Sequence, residues 1–148
     1  MRTILGLLFA TLAAASAAEI NVIPKPVSIT TVEGSFSIQP RTTLAVATEA
    51  ADAGRLLSSA LSITSAPAGR PRNNSIRILV DPSLKLPSAE GYILHVSKQR
   101  VEIRGKGPAG AFYGAQSLLQ LLPPGGKTIP CVRIEDYPRF SWRGAMLA

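Results

Sequence analysis

Tyr92-Ile93-Leu94-His95-Val96-Ser97-Lys98-Gln99-Arg100-Val101-Glu102-Ile103-Arg104 alternates apolar and polar side chains on both sides of a short turn. In an extended chain Tyr92, Leu94 and Val96 point one way, and Ile93, His95 and Ser97 the other. A turn near Lys98-Gln99 returns the chain into Val101 and Ile103, which alternate with Arg100, Glu102 and Arg104. The pattern predicts an antiparallel hairpin with one face in the core and one in water. A helix follows, with Phe112, Ala115, Leu119 and Leu122 on one face, stopped by Pro123-Pro124-Gly125-Gly126.

Towards the N-terminus, an extended, proline-pinned stretch at residues 20–26 leads into two short runs, 27–31 and 35–38. They flank Gly34 and predict another hairpin. Residues 42–47 read as a strand. Thr48 then stands where an N-cap belongs, with Glu49 in the first turn, where the helix dipole favours an acid. Ala50, Ala53, Leu57, Ala60 and Leu61 recur at helical spacing as one apolar stripe. Residues 65–75, rich in Pro, Arg and Asn, read as an exposed loop. Residues 76–80 form a strand stopped by Asp81-Pro82, and residues 129–134 a last strand. Runs of strands with two amphipathic helices imply an α+β fold, a mostly antiparallel sheet with both helices packed on one face.

Residues 1–18 have the form of a secretory signal: Arg2, an apolar run over residues 4–15, and the small-residue site Ala15-Ser16-Ala17. The run is too short for a stable membrane anchor, so export to the periplasm or the extracellular space is expected. Removal of about 18 residues leaves about 130, enough for one domain with its own core. The lone cysteine, Cys131, has no intramolecular disulfide partner and lies in an apolar run, as a buried small hydrophobe would. The formal charge is +7 and the basic residues are scattered, with loose groups at Arg70 and Arg72 and over residues 98–106. Neither helix is lined with bases interleaved with aromatics, so nucleic acid is not an expected partner.

Two stretches imitate catalytic or cofactor motifs. Gly105-Lys106-Gly107-Pro108-Ala109-Gly110 matches G-x-G-x-x-G between a strand and a helix. Yet the preceding strand has a wet face, and Pro108 removes an amide that a pyrophosphate would need. A glycine-rich helix start with Pro near N1 accounts for the same residues. Glu135-Asp136 is the only adjacent carboxylate pair, placed where a turn or domain junction is expected. His95 is the only histidine, so no ligand set for a metal is expected, and no cofactor either.

Asp136-Tyr137-Pro138-Arg139-Phe140-Ser141-Trp142-Arg143-Gly144-Ala145-Met146-Leu147 resembles the phrase D-x-P-R-F-x-W-R-G-x-M-L-D of glycoside hydrolase family 20, the β-N-acetylhexosaminidases, with Ala148 in place of the final Asp. Three further stretches resemble the family in order and spacing. Asn21-Val22-Ile23-Pro24-Lys25-Pro26 is similar to its opening I-P-x-P, and Glu90-Gly91-Tyr92-Ile93-Leu94 to its E-G-Y-x-L strand. Gly110-Ala111-Phe112-Tyr113-Gly114-Ala115-Gln116-Ser117-Leu118-Leu119-Gln120-Leu121-Leu122-Pro123 is similar to its G-x-F-Y-G-x-Q-T-L-x-Q-L-L-P helix.

The resemblance implies an N-terminal accessory domain over residues 19–136, and a linker with the first strand of a (β/α)8 barrel over residues 137–148. The chain is then expected to break off where that barrel begins. In the family, an Asp-Glu pair deep in the barrel serves retaining hydrolysis of terminal N-acetylhexosamine from glycans, the substrate's acetamido group attacking the anomeric carbon. No Asp-Glu dipeptide occurs in this chain, so no catalytic residue and no hydrolysis are expected of it alone. The implied partners are the barrel and, through it, an N-acetylhexosamine-containing glycan. Arg143 matches the family arginine that contacts the terminal sugar's hydroxyls, and a guanidinium can fork onto two of them. The alternative is a free-standing secreted carbohydrate-binding or interaction module. It would use exposed aromatics, for which Tyr113, Tyr137, Phe140 and Trp142 are the candidates.

Overall fold

The computed structural model describes residues 20–70, 72–140 and 144. The strands are β1 (Ser28–Ser37), β2 (Thr43–Val46), β3 (Ser65–Pro67), β4 (Ser75–Val80), β5 (Tyr92–Val96), β6 (Arg100–Gly105) and β7 (Thr128–Asp136). The helices are α1 (Ala51–Leu61) and α2 (Pro108–Gln120). The strands form one sheet in the order β1-β7-β5-β6-β4-β2-β3. α1 packs on β2 and β3, α2 packs on β4, β5 and β6, and the two helices touch each other, so they share one face. The α+β class therefore stands. The sheet itself is mixed. The pairs β1–β7, β7–β5 and β5–β6 are antiparallel, whereas β6–β4, β4–β2 and β2–β3 are parallel. The pair β2–β3 is parallel because α1, inserted between them, carries the chain back to start the next strand at the same end.

The hairpin of β5 and β6 has the expected alternation. Tyr92, Leu94, Val96, Val101 and Ile103 are buried under the helices with Ile76, Ile78, Val132 and Ile134. The other face carries Arg77, Glu102, His95 and Arg133 side by side across four strands. Arg77 and Glu102 form an ion pair at 3.2 Å, which lets the arginine lie mostly buried.

Five local expectations are corrected. Gly34 is not the turn of a hairpin: residues 28–37 form one strand along β7, with an irregularity between Thr31 and Ser35 where Gly34 adopts φ +112°. A glycine there supplies a bulge rather than a reversal. Thr48 does not cap α1 but opens a 3-10 turn, Thr48–Ala50, without a side-chain cap. The stripe of α1 buries Ala50, Ala53 and Leu57 but leaves Ala60 exposed. The core face of α2 is Ala111, Gly114, Ala115 and Leu118, about one residue out of phase with the expected one, and Phe112 and Leu119 are only partly buried. Small residues win that face because the helix lies close to the sheet: a Cβ on Gly114 would come within 2.6 Å of Ile103 Cγ2. Finally, residues 65–67 pair with β2 as a short edge strand within what reads as a loop.

Candidate functional site

A concavity with a mixed lining lies at one end of the helical layer. The N-terminal stretch, the start of β5, one side of α2 and the segment leaving β7 surround a groove of about 550 Å³. On α2, Tyr113, Gln116, Ser117 and Gln120 face it at positions one and two turns apart, as helical geometry requires of residues on one side. Gln120 reaches out to the N-terminal stretch. Its Oε1 accepts from Ile23 N at 2.7 Å, and its Nε2 donates to Ile23 O at 3.0 Å. This two-point amide contact substitutes for a strand partner that residues 20–26 lack. Asp136 closes the ring, its Oδ1 accepting from Val27 N at 3.1 Å. The two ends of the described chain are thereby tied to each other beside the groove.

The floor is Tyr92. Its ring is buried and its hydroxyl lies 2.5 Å from Ser117 Oγ. Burial pushes the phenol up to about 12; the Ser117 contact opposes the shift, and the Asp136 carboxylate adds to it. Tyr92 is therefore neutral at any physiological pH and serves as a structural floor, not as a base. The sign of its effect on stability follows from linkage. Below the phenol's ordinary value of 10.0 both states hold the proton and the fold keeps its full stability. Between about pH 10 and 12 only the unfolded chain ionises, and about 2–3 kcal/mol is lost. Tyr92→Phe is expected to cost about 1–3 kcal/mol at neutral pH, because buried Ser117 loses its partner, and to flatten that alkaline loss. Urea denaturation of both proteins from pH 8 to 11 checks this, and equal alkaline slopes would refute it.

Around this floor the groove is apolar and charged at once. Ile23 and Phe140 are largely exposed, Tyr113 is partly exposed, and Glu90, Asp136, Lys25 and Arg139 stand among them. Tyr113, Tyr137 and Phe140, singled out as exposed aromatics, do line one surface. Trp142 and Arg143 lie outside the described residues, as does the signal-like stretch of residues 1–18. Gln120 and Glu90 escaped the sequence reading. The polar run Tyr113, Gln116, Ser117, Gln120 at helical spacing was the signal that could have found the first.

The motif imitations resolve on packing. The glycines of Gly105-Lys106-Gly107-Pro108-Ala109-Gly110 admit protein, not phosphate. A Cβ on Gly110 would fall on the carbonyl of Gly91, and one on Gly107 would come within 2.9 Å of the Ala89 carbonyl. Lys106 is held to the same loop, its amide donating to Gly91 O at 2.9 Å and its Nζ to Leu86 O at 2.6 Å. The start of α2 is thus covered by residues 89–91, where a pyrophosphate would have to sit. Glu135 lies in the β7 row that faces away from the helices, 3.8 Å from Arg133, while Asp136 turns to the groove. Adjacent strand residues point to opposite faces, so the two carboxylates do not converge. Cys131 is buried, and burial raises its thiol against the weaker opposing influence of Lys98. His95 is exposed on the open face, and among the described residues no three His, Cys, Asp or Glu side chains gather as metal ligands would.

Known proteins share this architecture. The family described as "Glycosyl hydrolase family 20, domain 2" matches residues 19–137. A β-hexosaminidase of Porphyromonas gingivalis is 40% identical over 144 residues, covering 86% of this chain and 18% of the relative. A β-N-acetylhexosaminidase of Cellulomonas fimi is 34% identical over 141 residues, covering 85% and 28%. Among solved structures, a family 20 β-N-acetylglucosaminidase superimposes with a TM-score of 0.67 at 33% identity, covering 87% of this chain and 24% of that one. The N-acetyl-β-hexosaminidase of Streptomyces plicatus gives 0.68 at 29% identity, covering 82% and 27%. The chain spans less than a third of the length of these relatives. With the family matched across nearly all of the described fold, the chain belongs to glycosyl hydrolase family 20, as that family's domain 2.

Proposed function

We propose that this chain is the non-catalytic accessory domain of an exported β-N-acetylhexosaminidase, whose groove face abuts a catalytic domain that removes terminal N-acetylhexosamine from glycans. The observation that carries the reading is the family match over residues 19–137, in relatives named as β-hexosaminidases and several times longer than this chain. The groove supports it physically. Exposed Ile23, Tyr113 and Phe140 surround the point where the chain leaves β7, and apolar surface at a domain exit favours burial against a neighbour. Residues 137–148 would form the connection to that neighbour, with Arg143 reaching its sugar site. Residues 1–18 would direct export. Purified chain incubated with nitrophenyl N-acetylglucosaminide is expected to release no nitrophenol above the blank. Turnover would overturn the non-catalytic reading.

A second reading, a secreted carbohydrate-binding module, has one observation in its favour. The groove combines Tyr113, Tyr137 and Phe140 with the amides of Gln116 and Gln120, a mix of ring faces and hydrogen-bonding groups suited to a sugar. Titration with chitooligosaccharides, followed by Trp142 fluorescence, separates the two. A saturable change favours the module, and a flat response the accessory domain.

A further inference from the structure

A second cavity lies at the opposite end of the sheet, where the segment between β3 and β4 doubles back. Residue 68 starts at the C-terminal end of β2, its amide donating to Val46 O at 2.9 Å. Residue 74 finishes at the N-terminal end, its carbonyl accepting from Thr43 N at 3.2 Å. In between, the carbonyl of Gly69 accepts from Arg77 Nη2 at 3.1 Å, and Arg77 belongs to the face of the sheet not covered by the helices. Residues 69, 70 and 72 therefore border a cavity of about 220 Å³ against β2, β3 and β4 on that face.

The lining is charged in one sense only. Arg70, Arg72 and Arg77 contribute to it, and no Asp or Glu does. The nearest engaged acid, Glu102, is held by Arg77 Nη1 at 3.2 Å. Arg70 and Arg72 take part in no ion pair among the described residues. Arg77 is mostly buried, fixed through Nη1 and Nη2, and its buried Nε has no hydrogen-bond partner among the described residues. Arg77 shares its charge with Glu102, whereas Arg70 and Arg72 have no acid in the lining, so an anion entering the cavity would meet two unmatched guanidiniums beside the buried one. Ala45, Ala66 and Pro67 give the cavity an apolar back. Guanidinium forks match the oxygens of sulfate and phosphate.

We propose that the cavity lined by Arg70, Arg72 and Arg77 against strands β2, β3 and β4 is an oxyanion-binding site for sulfate or phosphate, free or carried as an ester on a larger ligand. The site is remote from the groove in the fold and independent of the accessory-domain reading. The test is a titration of the full chain, followed by backbone amide NMR, with sodium sulfate, N-acetylglucosamine 6-sulfate and unmodified N-acetylglucosamine, against sodium chloride at matched ionic strength. Saturable shifts confined to residues 43–45, 66, 68–70 and 72–77 are expected, with a dissociation constant on the order of 1 mM. Equal affinity for sulfate and the sulfated sugar supports a free-anion site. Tenfold or so tighter binding of the ester supports a larger ligand.

The double variant Arg70→Ala/Arg72→Ala removes only exposed side chains. It is expected to weaken binding about tenfold or more while leaving the rest of the spectrum in place. Arg77→Met is expected to abolish binding. If that variant fails to fold, the exposed pair still decides. No saturable shift, an equal response to chloride or to the unmodified sugar, or an unweakened double variant overturns the proposal.

Discussion

Gly105→Ala is expected to destabilise the native fold severely although it adds a single methyl group. Gly105 ends β6 between two partners, opposite Tyr92 of β5 and Val80 of β4, and its carbonyl accepts from Asp81 N at 2.8 Å. A Cβ at this position would fall on the amide nitrogen of Ala111, 2.6 Å from Gly107 O and 2.7 Å from Ala111 Cα. All three are backbone atoms at the start of α2, so no side-chain rotation relieves the overlap. The strand is held on both edges, so the helix start must move off the sheet and carry Ala111, Ala115 and Leu118 out of the core. A cost of about 4 kcal/mol or more is expected, at the far end of what single substitutions do. Since small domains hold only about 5–15 kcal/mol in total, a loss of this size should move the unfolding midpoint to much lower urea. Urea denaturation followed by circular dichroism measures this. Gly69→Ala, where an added Cβ meets nothing within 4 Å, is the control and should shift stability by less than about 0.5 kcal/mol. Equal behaviour of the two variants would refute the packing argument.

The second large effect is a compensation. Ile103 is fully buried beneath Gly114 of α2, so Ile103→Ala opens a cavity at the helix–sheet interface and should cost about 2–5 kcal/mol. Gly114→Ala is destabilising for the opposite reason, since its new Cβ comes within 2.6 Å of Ile103 Cγ2 and 3.1 Å of Tyr92 Cδ2. In the double variant the added methyl enters space that the isoleucine has left. The double variant should therefore be more stable than the summed single effects imply, by about 1–3 kcal/mol of coupling. Strict additivity in a double-mutant cycle would show that the helix adjusts its distance to the sheet independently of both residues.

How far the fold could be read depended on whether a local pattern had one structural solution. Residues 92–104 had one, because period-two alternation on both sides of a short turn leaves little but a hairpin. Gly34 had two, since a positive φ serves a reversal and a bulge equally well. The choice fell to β7, which offers an edge long enough to pair with both halves of β1. On α2 the larger apolar residues suggested the buried face. Burial there goes to the residues small enough to let the helix approach, so Ala111 and Gly114 join the expected Ala115 while Phe112 and Leu119 stay only partly buried.

The parallel half of the sheet had no local signature, because strand order is a property of the crossovers. The groove was legible only in part. Tyr113, Tyr137 and Phe140 stood out as aromatics without a core to enter, whereas Gln120 gained its role from residues 97 positions away. Arg77 likewise joins Arg70 and Arg72 only because the chain doubles back over β2.

The tie between residues 20–27 and the end of β7 also has a mechanical meaning. β1 and β7 are antiparallel neighbours, and Ser28 at the start of one sits opposite Glu135 near the end of the other. Tension applied through the two ends of the described chain would act at a single end of that ladder. Its hydrogen bonds run perpendicular to the strands, so they would open in succession rather than resist together as in shear. The first contacts loaded would be Val27 to Asp136 and Ile23 to Gln120. Under load, the domain is a zipper whose pull-tab lies at the rim of the groove.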